Sequence, residues 1–413
     1  MSTHSFIAGI GATPFGRHVK SNVRSLAASA IAQALGDAAC DASALEAVFF
    51  ANSNQGYIDG IHTLRGQYGL RQVGLRNVPV FNLENSGAGG GTALHLARLY
   101  VANGEADIVL AVASEKMSTL DSDVSLCAVD GLWDQIEAED DLKRVFELGQ
   151  LVEPPPWIER DNSYPDTLDV HASFGRFYMG KFGVSQRHYA AVAAKNHVHG
   201  ALNPDAHRRV RYSTAEILAA PFARYPLTAP MCCPISDGAA AVIICNQHGL
   251  QKLQGRGSRA VRVLGSTVRT GSNPEWSFEN HVVRSAAYDL YAKTSIGPED
   301  IDIAEIFDAT APAEVIQSEL LGFFPEGEGA LAAAHRETSI GGAIPLNTSG
   351  GLLARGHAIA ATGLAQVVEV VQQLRGEAGH RQVADARIGL TQTAAGLVGV
   401  EPAASCIALF QRG

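Results

Sequence analysis

The chain has 413 residues, 46% of them hydrophobic and 18% charged, with a formal net charge of −10. That length and apolar content provide for a large buried core, and the acidic balance excludes a basic surface for nucleic acid or anionic lipid as the main function. Its six cysteines (Cys40, Cys127, Cys232, Cys233, Cys245 and Cys406) form no Cys-x-x-Cys pair and have no zinc-type spacing with histidine, so no metal is expected.

In chain order, residues 25–35 carry a helix pattern and residues 45–52 a strand pattern. A glycine turn at Gly87–Gly91 precedes a helix to about Val101, and residues 108–113 are a strand. Between about 118 and 235 the pattern loosens: the proline run Pro154–Pro156 is followed by helical stretches at 168–182 and 185–195. The earlier order then returns. A helix pattern at 285–293 leads through Gly297-Pro298 into a strand reading at 303–310. The glycine-rich turn 349–357 precedes a helix from about 361 to 374, and 386–392 is again strand-like. Two alternating helix–strand halves with glycine-rich strand-to-helix turns predict a layered α/β fold built on an internal repeat. The amino terminus lacks a charged segment followed by an apolar core, and no apolar run has transmembrane length, so a cytoplasmic location and no membrane partner are expected.

The stretch from Asn82 to Ala97 resembles the nucleophile segment of the thiolase superfamily, closest to its sterol-carrier-protein-type branch. Further markers follow in the same order: residues 7–16, 113–118, 229–243 and 304–310, then Asn347 to Leu364 with its Gly356-His357 pair. The resemblance covers nearly the whole chain. It implies two similar βαβαβαββ-type halves in an α/β/α/β/α core with an inserted helical loop domain. The implied boundaries are 1–117 plus about 236–265 for the first half, 118–235 for the insertion and 266–413 for the second half.

The resemblance breaks at the chemistry. Aligned on Thr92-Ala93-Leu94, the family's catalytic cysteine falls on Gly87, with Ser86 just before it. Where the branch has a His-Asp-Cys-Phe motif, this chain reads Phe307-Asp308-Ala309-Thr310, and the proline after the family's histidine is Ala358. The resemblance implies acyl-CoA as substrate, with coenzyme A part of that substrate and no other cofactor. Without the thiol, three readings stand. One is a carbon–carbon lyase of aldolase type, working through an oxyanion site without an acyl-enzyme. The second is a thiolase or acyltransferase whose nucleophile has moved, for example to Cys232 or Cys233. The third is a non-catalytic acyl-CoA-binding or scaffold subunit.

His357 and Asp308 are the candidate acid/base groups, while Ser86, Gly87, Gly89, Gly350 and Gly351 are the candidate substrate-binding positions. Glu305 reads as structural, His62 and His171 as looser candidates, and His95 as a core histidine. Gly89, Gly90 and Gly91 admit either backbone packing or approach to a ligand. The family likeness implies at least a homodimer and a small zinc-ribbon/OB-fold partner protein.

Overall fold

The computed structural model describes residues 4–75, 77–131, 134, 136, 139–253 and 259–413. Its strands are β1 (Ser5–Ala12), β2 (Ala47–Ala51), β3 (Val80–Leu83), β4 (Ile108–Glu115), β5 (Phe222–Arg224), β6 (Leu227–Thr228), β7 (Gly238–Asn246), β8 (Val261–Arg269), β9 (Ile303–Glu305), β10 (Ile388–Ala395) and β11 (Ala404–Arg412). Nine of them form one mixed sheet in the order β3-β2-β4-β7-β1-β8-β11-β10-β9. The internal repeat is visible in that order. Reading outward from the middle, the first half runs β1, β7, β4, β2, β3 and the second runs β8, β11, β10, β9. The two leading strands β1 and β8 pair antiparallel and join the halves. The place that β3 holds beside β2 is taken in the second half by the segment at Leu346, which makes a single parallel bridge to Ala304 of β9.

The strands are apolar along their whole length because helices cover both faces. In β4 the residues alternate between two cores. Ile108, Leu110 and Val112 pack with the helix Val23–Ala38, whereas Val109, Ala111 and Ala113 pack with the helices Gly89–Ala102 and Ala361–Arg375. These last two helices form the middle layer. Both join a core that also takes residues from β1, β4 and β7 on one side and β8 and β11 on the other. The helices Val282–Thr294 and Gln186–Leu202 share a third core with the outer face of the second half. Layer by layer this is α/β/α/β/α.

The strand reading at 303–310 is cut short, for β9 ends at Glu305. Ile306 and Phe307 donate their backbone N–H groups to the side chains of Asn347 (2.8 Å) and Gln392 (2.9 Å) instead of to a neighbouring strand. Side-chain amides thus satisfy a backbone that leaves the sheet.

The two middle helices meet backbone to backbone. A Cβ placed on Gly90 would stand 2.6 Å from the carbonyl oxygen of Ala360 and 2.7 Å from the nitrogen of Leu364, and one on Gly363 would stand 2.7 Å from the nitrogen of Gly91. Gly90→Ala is therefore expected to destabilise the protein by about 1–3 kcal/mol through overpacking. Gly36→Ala, in the helix Val23–Ala38 with nothing within 4 Å of its Cβ position, is expected to stabilise it by about 0.5–1 kcal/mol. Urea midpoints check both; equal effects of the two substitutions would contradict the packing account.

Candidate functional site

The turn from Asn85 to Ala88 is closed by its own side chains. Thr92 Oγ1 donates to the Ala88 carbonyl (3.0 Å) and accepts from Asn85 Nδ2 (2.9 Å), while Glu84 accepts from the Ser86 N–H (2.7 Å). Ser86 sits at φ +45°, a left-handed conformation rare outside glycine. The turn presents Gly87 to a cavity with about 950 Å³ of free space, measured out to its mouth. A Cβ at Gly87 would lie 3.7 Å from Cε1 of His357, but only 2.9 Å from the carbonyl oxygen of Ala394. Position 87 therefore faces His357. The β10 backbone closes in on the space a side chain would take.

His357 is delivered by a loop held from below by two buried carboxylates. Glu305 accepts from the Ser349 N–H (2.9 Å) and hydroxyl (2.6 Å). Asp308 accepts from the Leu352 N–H (2.7 Å) and Asn196 Nδ2 (2.8 Å). Asp308 was expected among the acid/base groups, but the structure does not bring it to the cavity. It is fully buried, and burial with Glu314 nearby pushes its carboxyl well above the ordinary range. The three remaining glycines of the expected binding set also lie away from the cavity wall. Gly351 leaves room for Asp308, whose Oδ2 would stand 2.1 Å from a Cβ there, and Gly350 and Gly89 lie tight against Gly200 and Ala360. Of the residues expected at the site, Ser86, Gly87 and His357 converge.

Three histidines line the cavity: His171, His281 and His357. Burial lowers all three, to about 4 for His171 and His281 and about 3 for His357, with the Arg355 guanidinium and His171 adding to the last. Each ring is neutral at pH 7. His357 Nδ1 shares a 2.8 Å hydrogen bond with the hydroxyl of Thr362, in the first turn of the middle helix, and Phe307 stands edge-on to the ring. Phe307 thus gives the cavity an apolar wall beside His357. Glu401 also lines the cavity, close to His281. Burial raises its pKa, but hydrogen bonds from Asn273, Ser272 and Val282 outweigh that and hold it below the ordinary carboxylate range. His281, Glu401 and Trp276 escaped the sequence reading because they lie in irregular segments without motif or periodicity. Only the folded chain brings them together.

None of the six cysteines lines the cavity. Burial raises the thiols of Cys232 and Cys233, the latter to about 12, which opposes thiolate formation. Cys406 lies beneath the turn, 3.4 Å from Thr92 Oγ1, and is raised by burial to about 11. His95 bonds Ser266 across the middle layer (2.9 Å), and His62 is exposed. Among the described residues, no group of three or more His, Cys, Asp or Glu side chains is placed to hold a metal ion, and no helix is long and apolar enough to cross a membrane.

Two family models match: the thiolase N-terminal domain over residues 5–212 and the thiolase C-terminal domain-like family over residues 267–406. The chain belongs to the thiolase family. Human sterol carrier protein 2 is 33% identical over 396 residues, covering 93% of this chain and 68% of the relative. Benzoylsuccinyl-CoA thiolase subunit BbsB of Thauera aromatica is 29% identical over 397 residues, covering 95% and 94%. Among solved structures, an Ltp2-ChsH2(DUF35) aldolase superposes with a TM-score of 0.75 at 22% identity, over 98% of this chain and 97% of that one. Human mitochondrial 3-ketoacyl-CoA thiolase gives 0.70 at 17% identity, over 100% and 99%.

The neutral histidines have a measurable consequence. Between about pH 6.5 and 4 the unfolded chain binds more protons than the native one, so these rings make stability fall as pH drops through that window. His357→Gln removes one such group. Its unfolding free energy is expected to fall less steeply than that of the wild type, by at most about 1.4 kcal/mol per pH unit. Parallel pH–stability curves would contradict a buried neutral His357.

Proposed function

We propose that this thiolase-family chain binds an acyl-CoA thioester at the cavity and makes or breaks a carbon–carbon bond next to it by aldol chemistry, without an acyl-enzyme. The observation that carries the reading is Gly87 facing His357 in a cavity that no cysteine lines. In the cleavage direction, His357 Nε2 takes the proton of a β-hydroxyl group. The bond between the α- and β-carbons breaks, a carbonyl compound leaves, and the electron pair passes to the α-carbon as a thioester enolate. The proton on His357 then goes to that carbon, giving a shorter acyl-CoA and the starting imidazole. Burial keeps the ring neutral and makes the imidazolium a strong acid for the second transfer, while it weakens the ring as a base for the first. The thioester oxygen is taken to lie at the N-terminal end of the helix Gly89–Ala102, whose dipole favours the enolate charge.

The relatives support parts of this reading. The Ltp2-ChsH2(DUF35) neighbour is an aldolase and a two-protein assembly, and BbsB is named as a subunit. Both favour a separate partner protein, and a small one of the zinc-ribbon/OB-fold kind is part of the proposal. A homodimer is supported by β3, an edge strand that leaves Phe81 39% exposed. The moved-nucleophile reading has less support, since neither Cys232 nor Cys233 lines the cavity and burial raises both thiols. A scaffold role is an outcome of the test, and a cytoplasmic location with coenzyme A only as part of the substrate completes the proposal.

Incubation with 3-hydroxy-3-phenylpropanoyl-CoA, chosen for the aromatic cavity wall, is expected to release benzaldehyde and acetyl-CoA in equal amounts. His357→Ala is expected to lower kcat by about 10²–10³-fold. Thioester binding without product, repeated with any copurifying protein present, would overturn the lyase reading in favour of the scaffold.

A further inference from the structure

Away from Gly87 and His357, the cavity wall carries a second polar cluster that the cleavage step does not use. Trp276, His281 and Glu401 gather there, and Gln317 of the helix Ala311–Leu320 lines the same cavity. The cluster is tightly built. Glu401 is 2% exposed and accepts four hydrogen bonds from one loop: from the N–H groups of Ser272 (3.0 Å), Asn273 (3.1 Å) and Val282 (2.7 Å) and from Asn273 Nδ2 (2.7 Å). That network fixes the loop carrying Trp276 and His281. The Trp276 ring is tilted on Phe174 and His281, with centroids 5.8 and 5.2 Å away, and meets Phe177 edge-on at 5.3 Å.

Two polar atoms in this wall have no partner in the protein. Trp276 Nε1, a donor, and Gln317 Oε1, an acceptor, are both buried and unpaired. A third polar group is defined by His281. Its Nδ1 accepts from the Val283 N–H at 3.2 Å, so the proton of the neutral ring sits on Nε2 and makes that atom a donor. Within this cluster, two donors and one acceptor remain for a ligand. An unpaired buried donor or acceptor is costly, and a ligand group that pairs with it relieves the cost.

We propose that this cluster is a recognition site for a neutral oxygen function, a hydroxyl or a ketone, on the acyl part of the thioester. A hydroxyl accepts from Trp276 Nε1 or His281 Nε2 and donates to Gln317 Oε1, so it matches the full set. A ketone matches the two donors and leaves Gln317 unpaired. A carboxylate also leaves Gln317 unpaired, and the fixed negative charge of Glu401 repels it. The site thus selects hydroxylated or keto acyl groups over plain hydrocarbon ones and rejects acyl groups that end in an acid. This inference rests on acyl-CoA binding at the same cavity.

The test is calorimetric binding to the full chain of three ligands that lack a β-hydroxyl group and so are not cleaved. The ligands are 3-(4-hydroxyphenyl)propanoyl-CoA, 3-phenylpropanoyl-CoA and 3-(4-carboxyphenyl)propanoyl-CoA, whose polar groups lie away from the β-carbon. The hydroxylated ligand is expected to bind about 5- to 10-fold more tightly than the plain one, and the acid more weakly than either. Trp276→Phe and Gln317→Met, which keep ring and volume, are each expected to cut the hydroxyl preference to about twofold or less, and Glu401→Gln to restore binding of the acid. Equal affinity for all three ligands, or a preference that both conservative variants leave intact, overturns the inference while the acyl-CoA reading stands. Failure of all three to bind overturns both.

Discussion

The first turns of two buried helices touch at Gly90 and Gly363, with no side chain between them. Each helix begins just after a functional turn: Gly87 lies two residues before one start and His357 four residues before the other. The distance between the two halves of the repeat is therefore set by backbone contact, the stiffest packing available to a protein. A side chain at Gly90 or Gly363 would push the turns apart along with the helices. The reach from position 87 to His357 thus depends on a contact made outside the cavity. Gly89 and Gly90, which invite a ligand-binding reading, are with Gly363 the devices that hold this spacing.

Burial shapes the chemistry as firmly as geometry does. The cavity histidines are neutral because water is excluded from them, and the carboxylates split into two kinds. Glu305 and Asp308 sit beneath the His357 loop and take backbone N–H groups; Glu401 sits in the wall and remains charged because four donors converge on it. With no cysteine in its lining, the cavity suits the proposed neutral proton shuttle and transient enolate at a helix N-terminus. With the Ala394 carbonyl at 2.9 Å from where a Cβ would stand, placing a cysteine at position 87 would require β10 to shift.

Much of the fold could be read in the sequence because its signals are local. The helices at 89–102 and 361–375 and the strand at 108–115 follow from apolar periodicity and glycine turns, and their repetition exposes the two halves. The pairing of Gly87 with His357 was legible through the family likeness alone, since 270 residues separate them. Asp308 misled for a physical reason: an acid after an apolar strand looks the same whether it faces a cavity or ties down the next loop. His281 and Glu401 had no signal at all, because their proximity is made by a loop and a turn more than a hundred residues apart. The strand reading at 306–310 failed because the side-chain amides of Asn347 and Gln392 stand in for a sheet partner, a substitution invisible to periodicity.

The most direct test of chemistry without an acyl-enzyme is intact-protein mass spectrometry during turnover of a 3-hydroxyacyl-CoA. The account predicts an unmodified chain mass at every time point while the carbonyl product accumulates. An acyl adduct that forms and decays at the turnover rate, mapped to any one residue, would contradict it and reveal a nucleophile elsewhere in the chain.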